Sequence, residues 1–219
     1  MAERSLVLGA VAAVVALAAF AVPARAGFVV HEVAVDDPPG APAFAFTPDD
    51  INTTLPSARV HWERGVDGDA KHGIRQVAGL FNFAPWSGPV IDYQLFFSAG
   101  TFRYYCPIHG SPGRGMDGVV RVAPAFDSDP QPDPAFTVRW AQEESNDTGS
   151  RFDVRFRRQG ANGWTLWQND TAQHEGEFGA GDDPVRVVAG RVYEFRARSE
   201  KATNTDKRSE WSPVLVATP

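Results

Sequence analysis

The chain holds one cysteine, Cys106, in the run Tyr104-Tyr105-Cys106-Pro107-Ile108-His109-Gly110, with Met116 a short way beyond. A thiolate, an imidazole and a thioether therefore fall within one short stretch. Soft sulfur ligands combined with imidazole select copper, and two His, one Cys and a weak axial Met compose the blue-copper electron-transfer site. The second imidazole has a candidate upstream in His72. Zinc is the rival metal, but a structural zinc site wants a closed tetrahedral set, usually with several thiolates. One thiolate with a thioether fits that poorly. An isolated cysteine in a β core is ordinarily a small buried hydrophobe; here two histidines accompany it in order.

Position follows from strand geometry. In residues 101–106 side chains alternate, so Phe102, Tyr104 and Cys106 share one face and Arg103 and Tyr105 the other. Cys106 is expected to end a core-facing row where the strand leaves the sheet. A loop over 107–115 then brings His109 and Met116 around one ion, with Gly110, Gly113 and Gly115 allowing it to fold tightly. The remaining histidines, His31, His61 and His174, read as surface residues rather than ligands.

The rest of the chain must supply the scaffold. Positions 6–22 form an apolar run, and Ala24-Arg25-Ala26 is a small-x-small cleavage site, so residues 1–26 read as a secretory signal peptide. The expected location is secreted or extracytoplasmic, with no membrane span in the mature chain. A formal charge of −6 without basic tracts argues against nucleic acid as a partner. A single cysteine permits no internal disulfide, and a lone thiol in an oxidising compartment is a liability unless a metal holds it.

Beyond the leader, short β-type runs alternate with Gly, Pro, Asp and Asn, and no helical period of convincing length occurs. Strands are expected at 28–30, 43–46, 58–62, 93–97, 101–106 and 118–122. Acidic residues alternate with prolines over 127–134, which disfavours both ladder and helix. A second set of strands is expected at 136–140, 151–158, 163–167, 186–188, 192–198 and 213–217, with arginines at alternate positions. The reading is all-β, two β-sandwiches in series: a first domain over 27–123, a linker over 124–134 and a second domain over 135–219.

Residues 100–109 (Gly-Thr-Phe-Arg-Tyr-Tyr-Cys-Pro-Ile-His) and 116–122 (Met-Asp-Gly-Val-Val-Arg-Val), with Val60-His61-Trp62-Glu63-Arg64 and Lys71-His72-Gly73-Ile74 upstream, resemble the cupredoxins of the plastocyanin and pseudoazurin type. The resemblance implies a Greek-key sandwich carrying one type 1 copper, held by His72, Cys106, His109 and, axially, Met116. It also implies that His109 is the electron port, with Pro107, Ile108 and Pro112 as nearby apolar residues. Two departures stand out: six residues separate His109 from Met116, more than in plastocyanin, and Gly73 follows His72 where the family often carries Asn.

The second half resembles a fibronectin type III module. Trp140 would be its core tryptophan, Tyr193 its tyrosine corner and Glu210-Trp211-Ser212-Pro213 its closing turn. Arg155, Arg157, Arg196 and Arg198 could stack with Trp211 as a cation–aromatic ladder, or be plainly solvated. Trp164 and Trp167 should face opposite ways, which could leave one exposed as a sugar-stacking or partner patch. Asn-x-Thr sequons occur at Asn52, Asn146 and Asn169, and matter only in a glycosylating host.

The expected function is electron carriage by an exported copper protein, not enzymatic catalysis. No His-x-His clusters of a multicopper oxidase, second cysteine of a binuclear site, Ser/His/Asp arrangement or phosphate loop is present. The expected partner is a redox protein, with a cell-surface protein or carbohydrate engaged through the second domain. The alternative is a non-redox binding or copper-sequestering protein that uses the cupredoxin as a scaffold.

Overall fold

The computed structural model describes residues 29–36, 44–55, 58–63, 70–86, 92–127, 135–142, 150–180 and 185–219. The expected leader over 1–26, residues 128–134 of the expected linker and the Asn146 sequon lie outside these residues. Within them every regular element is a strand, and no helix is long and apolar enough to cross a membrane.

The first sandwich is built from β1 (Val30–Asp36), β2 (Ala45–Thr47), β3 (Asp50–Thr54), β4 (Arg59–Glu63), β5 (His72–Gln76), β6 (Asn82–Trp86), β7 (Asp92–Phe96), β8 (Gly100–Ser111) and β9 (Arg114–Ala123). One sheet runs β2-β1-β4-β7 and the other β3-β9-β8-β5-β6. Period-2 alternation aims Val33, Val35, Val60 and Trp62 inward from the first sheet. Phe102, Tyr104, Cys106, Val120 and Val122 meet them from the second. Trp62 is the hub of this core, with ring contacts to Tyr104 at 5.5 Å and to Phe81, Phe83 and Phe97 at 6.2 Å.

The second sandwich comprises β10 (Ala125–Phe126), β11 (Phe136–Arg139), β12 (Ser150–Arg158), β13 (Thr165–Thr171), β14 (Glu175–Phe178), β15 (Tyr193–Lys201), β16 (Asn204–Arg208) and β17 (Leu215–Ala217). Sheet β10-β11-β14 packs on β13-β12-β15-β16, with β17 also paired to β15. Phe178 binds the layers together, 4.8 Å from Phe195 and 4.9 Å from Phe156. Trp140 is fully buried, its indole N–H donating to Gln173 O at 2.6 Å.

Three details differ from the sequence expectation. Ala125 and Phe126, inside the expected linker, pair with Arg139 and Val138 and so supply the short first strand of the second sandwich. Residues 186–188 form no ladder, because the Val188 N–H goes to the Tyr193 hydroxyl at 3.0 Å instead of to a strand. Strands β3, β5, β6, β14 and β16 were not expected; β16 is exposed at every position and β3 buries only Ile51 fully. β3, β6, β14 and β16 are edge strands, which face water and carry no apolar alternation to announce them. β5 is instead an inner strand between β8 and β6, whose buried positions include His72, Gly73 and Gln76 and so give no apolar run.

Candidate metal centre

Strand β8 does not stop at Cys106. It continues to Ser111 and turns back into β9, pairing Gly110 with Gly115 and Ser111 with Arg114, after a register break between Tyr105 and Gly110. The expected loop is thus the tip of a β-hairpin. Gly113 and Gly115 take φ of 74° and 73°, which L side chains adopt only with strain. The six residues between His109 and Met116 are taken up by this hairpin, so the added length reverses the chain.

His72 arrives from the neighbouring strand. The β5–β8 pairing sets Arg75 opposite Tyr105 and Gln76 opposite Tyr104, and running that register on brings His72 level with Ile108. The result is a convergence of three donor atoms. Cys106 Sγ lies 3.8 Å from His72 Nδ1 and 3.7 Å from His109 Nδ1, and the two Nδ1 atoms are 3.2 Å apart. Ligand distances of about 2.0–2.1 Å for nitrogen and about 2.3 Å for sulfur give a donor triangle of this size around one ion. His72 and Cys106 are wholly buried, His109 is half-buried, and Ile108 beside it is 48% exposed.

Electrostatics favours the thiolate. Burial pushes the Cys106 thiol up, but hydrogen bonding to His72 and to the backbone of Gly73, Ile108 and His109 outweighs it, leaving the thiol below its usual value. Gly73 explains itself here. A Cβ at that position would lie 3.0 Å from Phe83 O and 3.3 Å from the Pro107 ring, so the backbone approaches the sulfur where an Asn side chain has little room. Met116 is buried, on β9 just past the hairpin.

The other histidines stand apart from this group. His61 does face out of the sheet, but it is half-buried and bonds Glu32 at 2.6 Å. With Glu63 these two gather donor atoms on the solvated sheet face, an arrangement common without an ion. His31 and His174 are half-buried rather than exposed. Phe44 is the residue sequence reasoning passed over. Its ring stacks on His109 with centroids 3.8 Å apart and meets His72 edge-on at 5.5 Å. The available signal was its place two residues before the core-facing Phe46.

In the second sandwich the arginine–tryptophan ladder is formed. Arg196 lies 4.2 Å from the Trp164 ring and 4.7 Å from Trp211. Arg157 covers Trp164 at 4.5 Å, and Arg155 and Arg198 cover Trp211 at 4.6 and 4.5 Å. Trp164 and Trp167 do face opposite ways: Trp167 packs 5.7 Å from Trp140, and neither ring is open as a free patch. The Tyr193 hydroxyl accepts the Val188 N–H and donates to Arg186 O at 3.4 Å, the bonding of a tyrosine corner.

No protein-family model and no curated protein matches the chain. Among solved structures, a mutant of amicyanin in its reduced Cu(I) form is similar at 21% identity and a TM-score of 0.33, covering 44% of this chain and 82% of that one. A myokine structure matches at 13% identity and a TM-score of 0.33, over 44% of this chain and 96% of that one. A cytokine receptor complex matches at 19% identity and a TM-score of 0.32, over 70% and 88%. At these scores the likeness is partial.

Proposed function

We propose that the chain is an exported copper protein that carries single electrons, not an enzyme. The observation that carries this reading is the convergence of His72 Nδ1, Cys106 Sγ and His109 Nδ1 within 3.8 Å of one another. One thiolate with two imidazoles, and a thioether on the adjoining strand, is a copper donor set. Copper bound there supplies a one-electron Cu(I)/Cu(II) couple.

The protein's own residues do the rest. Strands β5 and β8 hold His72 and Cys106 in the core, where a change of charge rearranges little around them. His109 is the half-buried donor and stands next to exposed Ile108, so this edge is the port at which a redox partner exchanges the electron. Met116, buried on β9 just past the hairpin, would supply the thioether of this set. In this reading the first sandwich is cupredoxin-like and the second a fibronectin type III-like module, supported by buried Trp140, the Tyr193 corner and Trp211 in the closing turn. In the same reading residues 1–26 direct export.

The test is addition of copper(II) to the purified protein beside a Cys106→Ser control. An intense thiolate-to-copper absorption band, absent from the control and bleached reversibly by ascorbate, is expected. A folded protein without that band overturns the reading. A band that ascorbate cannot cycle moves the function to copper sequestration.

A further inference from the structure

Phe44 immediately precedes β2, whose pairing with β1 sets Phe46 opposite Val35. Residues two apart on an extended chain share a face, so Phe44 and Phe46 point the same way. Phe46 packs edge-on against Tyr104 of β8, with centroids 5.0 Å apart. Two residues further along β8 is Cys106, and two residues back along the facing chain is Phe44. The same step that carries β8 from core to donor site thus carries Phe44 onto that site.

The ring ends flat against the His109 imidazole, at 3.8 Å and 26°, and edge-on to His72. It is 37% exposed while His72 and Cys106 are fully buried. Phe44 therefore stands between the donor atoms and water. Of the three donors, His109 lies nearest the hairpin tip and alone is less than fully buried, so it is the one that can swing away and let a metal leave.

We propose that Phe44 is a positioning residue for the metal: its ring fixes the His109 imidazole with Nδ1 toward Cys106 and His72, and closes the donor group to water and competing ligands. The inference rests on the copper reading above. A stacked aromatic neighbour restricts imidazole rotation, and a closed apolar cover slows ligand exchange by denying an incoming group its first contact.

Two readouts on the intact chain test it, using Phe44→Ala and Phe44→Leu. The first is copper release to excess EDTA from the loaded protein, with the position of the thiolate-to-copper band recorded alongside. The second is the reaction of metal-free protein with dithiobis(nitrobenzoate), which reports Cys106 alone because it is the only thiol. Phe44→Ala is expected to speed both by about tenfold, the worth of one stacked ring, and to shift the band. Phe44→Leu covers without stacking, so release quickens and the band shifts while the thiol stays protected. A folded Phe44→Ala protein with wild-type release, band and thiol rate overturns the proposal; if that variant does not fold, an unchanged band and release rate in Phe44→Leu do the same. A wild-type protein with no band overturns the copper reading and the metal half of this one, and the thiol rates then decide whether Phe44 covers the donors.

Discussion

Thr101 and Glu210 form a two-way backbone bridge between the sandwiches: the Thr101 N–H donates to Glu210 O at 3.1 Å and the Glu210 N–H returns to Thr101 O at 3.0 Å. The Thr101 hydroxyl adds a bond to Trp211 O at 2.9 Å. Next to it the Ala99 N–H donates to Trp140 O at 2.7 Å, and the buried hydroxyls of Ser98 and Ser199 bond each other. Thr101 belongs to β8, the strand that carries Cys106. The second sandwich is therefore fastened to the strand that bears Cys106 and is no free arm on a tether.

Glu210→Pro removes one donor of that bridge and is expected to cost about 1–3 kcal/mol, read as a lower urea midpoint. Arg103→Ala, which loses only an exposed ion pair to Glu210, should cost less than about 1 kcal/mol. A Glu210→Pro protein with the wild-type midpoint would mean that the junction contributes nothing to stability.

The ladder makes Arg196 its central rung, between Trp164 and Trp211. Arg196→Lys keeps the charge but loses the flat guanidinium, so a loss of about 1 kcal/mol is expected, with Arg196→Ala larger. A double-mutant cycle of Arg196 with Trp164 should return a coupling of at least about 0.5 kcal/mol. Strict additivity would reduce the ladder to coincident packing.

Glycines at the hairpin separate two kinds of cost. A Cβ at Gly110 would lie 2.6 Å from Met116 O and 2.9 Å from Met116 N, so Gly110→Ala must move the strand that carries Met116. Gly113 has positive φ but nothing within 4 Å of its Cβ, so Gly113→Ala bears only the backbone preference, about 1 kcal/mol. Copper titration should show weaker binding and a displaced band for Gly110→Ala and near-normal binding for Gly113→Ala. The reverse order would place the hairpin outside the metal site.

Burial, followed by the nearby Asp153 and Asp170 carboxylates, raises Glu200 above the usual carboxylate value, against the opposing pull of Arg198 and Arg208. A carboxyl with a raised folded pKa binds its proton more tightly in the native state than in the unfolded one. The resulting penalty is absent below the ordinary value and sets in as pH rises through the folded one. Glu200→Gln should therefore raise the thermal midpoint at pH 7.5 and change it little at pH 3.5. Equal shifts at both pH values would point to packing rather than ionisation.

Much of this was legible in the chain because it depends on local pattern. Alternation in residues 101–106 placed Tyr104 and Cys106 on one inward face, and residue type and order singled out His72, Cys106 and His109, the three side chains that the fold brings together. The arginine pairs two residues apart on β12 and β15 left stacking on Trp211 and plain solvation both open, and the fold decided for stacking, on Trp164 as well as Trp211.

What tertiary structure alone decided is what comes from elements distant in sequence. That Phe44 lies on His109 depends on how the β2-β1-β4-β7 sheet sits over β8, and no local spacing carries that offset. The hairpin at 110–115 arises because Gly110 and Gly115 pair across the turn, which residue types alone leave indistinguishable from an open loop. The Thr101–Glu210 bridge joins backbone groups, which every residue possesses, so no side chain marks it. Donor identities follow from side-chain chemistry; their enclosure and the joining of the sandwiches follow from long-range backbone register and packing.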